Sequence, residues 1–78
     1  MNWQQHITSD PEIFSGNPII KGARIPVDLL LEKLAAGVSR QSIFEAYPAL
    51  TADDIQACLL YAVERVRQGA YSLLTFSI

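Results

Sequence analysis

The stretch Ser39-Arg40-Gln41-Ser42-Ile43-Phe44-Glu45-Ala46-Tyr47-Pro48-Ala49-Leu50-Thr51-Ala52-Asp53-Asp54-Ile55 decides the fold. Ser39 offers a hydroxyl that accepts an orphan backbone N–H, and Ile43, Phe44 and Tyr47 behind it make one short amphipathic helix. Pro48 stops it. Thr51-Ala52-Asp53-Asp54 restarts a helix in the manner of a capping box, with Asp in place of the usual Glu three residues after the cap. A short helix, a turn of about four residues and a longer helix follow one another in the order of a helix-turn-helix.

Outward from that stretch, Val27, Leu30, Leu31, Leu34 and Val38 line one face of a preceding helix that ends near Gly37, where a left-handed cap is cheap. Leu29 points away from this stripe. It reads either as an isolated exposed leucine or as a partner contact. On the third and longest helix, Ile55, Leu59, Ala62 and Val66 form a narrow stripe, with Cys58 and Val63 on its margins. The expected class is therefore mainly α, with a three-helix helix-turn-helix core.

Before the helices, Ser9-Asp10-Pro11 and Ser15-Gly16-Asn17-Pro18 read as turns, so the first twenty residues are expected to form an irregular arm pinned by Trp3, Ile7, Ile13 and Phe14. Ile19-Ile20-Lys21-Gly22-Ala23-Arg24-Ile25 reads as a small β-hairpin with Gly22 letting the chain reverse. After Gly69, Ala70 to Ile78 is apolar and strand-like, and needs a host. One domain over residues 1–78 is expected: arm and hairpin at 1–26, trihelical core at 27–68 and apolar tail at 69–78.

Composition narrows the function classes. Half of the 78 residues are hydrophobic and 18% are charged, which suits one small globular domain rather than a disordered segment. A core this small gains from association. The net charge of −2 disfavours nucleic-acid binding by bulk electrostatics, leaving only local patches. The lone Cys58, the lack of a leader pattern and the lack of a bilayer-length apolar run point to a cytoplasmic protein without membrane insertion.

One His and one Cys far apart make no zinc set, and no metal or other cofactor is expected. His6 near Asp10 is the only hint of a nucleophilic arrangement, and it lies in the arm, so no catalytic residues and no enzymatic activity are expected. Adjacent Asp53 and Asp54 diverge on a helix and read as first-turn acids rather than a catalytic pair. For DNA contact, Lys21 and Arg24 in the hairpin, Arg40 and Gln41 on the second helix and Gln56 on the third are the candidates, each equally readable as solvated surface. Leu29, Leu60 and the tail residues Tyr71, Leu73, Leu74, Phe76 and Ile78 are the candidate partner or dimer contacts.

The runs Asp10-Pro11-Glu12-Ile13, Gly16-Asn17-Pro18-Ile19-Ile20-Lys21-Gly22-Ala23-Arg24-Ile25-Pro26-Val27, Leu34-Ala35-Ala36-Gly37 and Tyr47-Pro48-Ala49-Leu50-Thr51 closely resemble the domain-of-unknown-function family 433 over roughly residues 7 to 66. Ala23 departs from it, standing where the motif usually has Thr. The resemblance implies a homeodomain-like helical fold with an N-terminal β segment. It further implies the antitoxin of a bacterial toxin–antitoxin pair, whose usual companion is a PIN-like ribonuclease. Taken with the gain a small core makes from association, the expected protein is a homodimer that neutralises the ribonuclease, with operator DNA as a further candidate partner; the alternative is a dimeric interaction module that never binds nucleic acid.

Overall fold

The computed structural model describes residues 1–12 and 14–77, with side chains for all of these except Phe14 and residues 70–77. Ile13 and Ile78 lie outside the described residues. A 3-10 turn at Trp3–Gln5 leads into β1 (Ile7–Thr8), a second such turn at Phe14–Gly16 precedes β2 (Ile19–Ile20), and three helices follow: α1 (Val27–Ala35), α2 (Arg40–Ala46) and α3 (Ala52–Ser77). The mainly α fold with a short N-terminal hairpin is the one its sequence pattern predicts.

The hairpin is built differently from expectation. β2 pairs antiparallel with β1, Ile7 opposite Ile20 and Thr8 opposite Ile19, so part of the supposedly irregular arm is a strand. Ile25 and Pro26 still fold back beside β2, through Ile20 N–H donating to the Ile25 carbonyl at 2.9 Å and a bridge between Ile19 and Pro26. The reversal does not use Gly22. Its left-handed residue is Arg24, at φ 53°, while the positive-φ glycines are Gly16 and Gly37. Such a conformation costs a non-glycine residue roughly 1 kcal/mol, offset here by Arg24 N–H donating to the Ile20 carbonyl at 2.7 Å.

The helix ends follow local chemistry. Gly37, at φ 84°, closes α1: its N–H donates to the Leu34 carbonyl at 3.1 Å and Val38 N–H to the Lys33 carbonyl at 3.0 Å, the paired bonds of a Schellman motif. Ser39 Oγ accepts from Ser42 N–H at 3.1 Å and starts α2. Thr51 and Asp54 start α3 reciprocally, Asp54 N–H donating to Thr51 Oγ1 at 3.1 Å and Thr51 N–H to Asp54 Oδ2 at 3.0 Å. After Gly69 the backbone stays helical through Ser77 rather than becoming extended. A glycine costs a helix about 1 kcal/mol, too little by itself to end one.

Each element sends residues inward: Ile7 from β1, Ile20 from β2, Val27 and Leu30 from α1, Ile43 from α2, and Ile55, Ala57 and Cys58 from α3. Leu30, Ile20 and Ile55 have no exposed surface. Leu29 is half-buried and packs against this core, so it is not the outward contact its helical phase suggested. The stripe on α3 also turns out rotated from the expected one. Cys58 sits at the centre of the buried face, whereas Leu59 is 39% and Val66 is 66% exposed.

Candidate functional site

The most tightly organised polar group joins the arm to α3. His6 Nδ1 lies 2.9 Å from Asp54 Oδ1, and Asp54 spends its other carboxylate oxygen on the Thr51 N–H. His6 therefore pairs with Asp54, not with its sequence neighbour Asp10, whose Oδ1 accepts from Glu12 N–H at 2.9 Å. One turn after Asp54, Cys58 is fully buried. Burial, and secondarily the Asp54 charge, push its thiol up to about 12. A nucleophilic cysteine needs a thiolate at working pH, and this environment disfavours one. The His6–Asp54–Cys58 grouping has the residue types of a hydrolytic site and the electrostatics of a structural latch.

Beside the latch, Trp3 and Tyr61 of α3 pack in a T-shaped pair, with centroids 5.0 Å apart and planes at 77°. The Trp3 Nε1 is buried and has no hydrogen-bond partner among the described residues. No cluster of three or more His, Cys, Asp or Glu capable of holding a metal occurs among the described residues. Among the same residues no helix is long and apolar enough to cross a membrane.

The five candidate DNA contacts are all exposed. Lys21 and Arg24 share the turn between β2 and α1, Arg40 and Gln41 open α2, and Gln56 lies in the second turn of α3. Gln41 reaches along its own helix, Nε2 donating to Glu45 Oε1 at 3.4 Å. The ion pair among the described residues is His6–Asp54, so Arg24 does not tie the turn to an acidic side chain there. Asp53, also exposed, adds negative charge to the start of α3. Of the apolar candidates, Leu60 is 36% exposed, and the side chains of Tyr71, Leu73, Leu74 and Phe76 lie outside the description.

Sequence reasoning missed an apolar groove of about 340 Å³ between α1 and α3. Pro18, Val27, Leu31, Tyr61, Ala62 and Val66 line it, and Asp28 and Arg65 add one charge of each sign. Its residues come from three segments, and only their meeting in space creates it. In α1 only Val27 and Leu30 are fully buried, and Leu31 of the same apolar stripe lines the groove.

A family described as protein of unknown function (DUF433) matches residues 7–62, from β1 to the middle of α3. The chain is similar to the uncharacterized protein y4eO of Sinorhizobium fredii (strain NBRC 101917 / NGR234), 39% identical over 63 residues. That alignment covers 81% of this chain and 28% of the relative, so the chain spans little more than a quarter of that protein's length. No solved structure matches. The matched span contains the paired strands, both turns that shape the helix ends and the Thr51–Asp54 box, and on it the chain belongs to the DUF433 family.

Proposed function

We propose that this protein is a cytoplasmic, non-enzymatic antitoxin that neutralises a PIN-like ribonuclease by binding it. The observation that carries the reading is the apolar groove between α1 and α3, a preformed concave surface with a charge of each sign beside it. The buried, strongly protonated Cys58 supports a binding role over a catalytic one. A segment of the ribonuclease that is apolar with one flanking charge fits such a groove. Co-expression with the product of the neighbouring reading frame tests it: the two co-purify, ribonuclease activity is suppressed, and Leu31→Glu in the groove releases that activity. A ribonuclease equally inhibited by the Leu31→Glu protein, or never inhibited, overturns it.

Operator binding is a second activity of the same protein, supported by the exposed Lys21, Arg24 and Arg40 and by the order α2, turn, α3. Phosphate contacts predict affinity for upstream DNA that falls steeply with salt, with a shallower slope for Lys21→Ala or Arg24→Ala. If no binding is detected, alone or with the ribonuclease, the protein is an interaction module that acts without nucleic acid.

A further inference from the structure

Helix α3 carries a second apolar stripe that the body leaves uncovered. Leu59, Val63 and Val66 are 39%, 44% and 66% exposed. Ala52 and Gln56, which continue the stripe toward the helix start, are exposed as well. The sequence runs the spacing onward through Ala70 and Leu73. From Ala52 to Leu73 the steps alternate between four and three residues, the a/d repeat of a two-helix seam. The side chains that face the body, Asp54, Ile55, Ala57 and Cys58, are buried and centred roughly 120° away around the helix. Seam and body therefore do not compete for the same residues.

The row flanking the seam identifies the occupant. Asp53, Leu60 and Arg67 stand seven residues apart at successive e positions, and all three are exposed. Read along the helix, the row is negative, apolar, positive. In a parallel pair this row faces the g positions Ile55, Ala62 and Gly69, which hold no charge. In an antiparallel pair it faces itself. A two-fold axis at Leu60 then sets Asp53 of each chain against Arg67 of the other, and Leu60 against its own copy. The seven-residue repeat calls for a helix as partner, and the self-complementary row of Asp53, Leu60 and Arg67 is matched by a second copy of the same helix, since flanking charges set partner and orientation.

We propose that α3 pairs antiparallel with α3 of a second copy of this chain across this seam, with the two-fold axis at Leu60. Leu59 of each chain packs on Val63 of the other, and Gln56 is enclosed opposite Val66, which withdraws it from the DNA candidates. The pairing goes beyond ribonuclease binding, since the seam and the α1/α3 groove share only Val66.

Sedimentation of the full chain tests it. The wild-type protein is expected near twice its 8.6 kDa chain mass. Val63→Glu, at an exposed site outside the groove, is expected to be monomeric with unchanged helical circular dichroism. Asp53→Arg and Arg67→Asp each weaken the dimer about tenfold and together restore it, as expected for charged flanking pairs that select partner and orientation. Leu60→Cys cross-links two chains on mild oxidation. A monomeric wild type, a wild type that associates only when a ribonuclease is added, or a Val63→Glu protein that remains dimeric overturns the proposal. A dimer whose Leu60→Cys variant does not cross-link overturns the antiparallel register.

Discussion

The two faces of α3 are alike in composition and opposite in fate. On one, Ile55, Ala57 and Cys58 are fully buried against the arm and α1; on the other, Leu59, Val63 and Val66 stand in solvent. Aliphatic content does not distinguish them. What does is the bonding of Asp54, which closes the capping box with Thr51 and pairs with His6. Once that carboxylate faces the arm, helical geometry brings Cys58 and Tyr61 inward behind it, and Leu59 and Val63 are turned away. A polar residue thus sets the phase of an apolar helix, because a buried carboxylate tolerates far fewer orientations than a methyl group does.

The sharpest way to break this contrast is truncation on each face. Ile55→Ala is expected to cost about 2–5 kcal/mol of unfolding free energy, because it leaves a cavity in a fully buried site. Leu59→Ala is expected within about 0.5 kcal/mol under monomeric conditions, as for other exposed positions. Urea titration of both variants at low protein concentration checks the difference. Equal losses would mean that both faces are covered in the isolated chain.

A next, smaller effect tests the phase-setting role of Asp54. Asp54→Ala removes a cap worth about 1 kcal/mol together with the His6 contact, so a loss of roughly 1.5–3 kcal/mol is expected. In a double-mutant cycle with His6→Ala, the two substitutions should cost less together than the sum of each alone. Strict additivity would show the 2.9 Å contact to be energetically idle.

Smaller again is a pH effect confined to the buried face. The Cys58 thiol is raised from 9.0 to about 12 in the folded chain, so above pH 9 the unfolded state loses that proton while the native state keeps it. The stability associated with the neutral thiol is fully present below pH 9 and is lost as pH rises toward 12. Cys58→Ala is expected to show a flatter decline over that window in parallel denaturant melts. Alkylation should report the same protection, with native Cys58 reacting far more slowly than in urea at pH 8 to 9. The smallest expected change is Trp3→Phe, which removes a buried N–H with no partner among the described residues while keeping an aromatic ring against Tyr61. Thermal melting should place it within about 0.5 kcal/mol of wild type, since the lost packing and the relieved polar group oppose each other.

Local signals determined a great deal. Ser39, Thr51 with Asp54, Gly37 and Pro48 mark helix starts and stops through bonds made within a few residues, and each acts where the sequence places it. The three-helix order and the exposure of Gln56 and Arg40 follow from the same short-range rules. The pairing of His6 with Asp54, the partnering of β2 by β1 and the α1/α3 groove join residues far apart in the chain. So does the choice of which apolar face of α3 is buried. No short-range rule ranks such contacts, because their energies arise only when several segments exclude water from the same volume. The left-handed Arg24 near an unstrained Gly22 belongs with them: the turn's conformation follows from the pairing of β2 with Ile25 and Pro26 rather than from the residue best suited to adopt it.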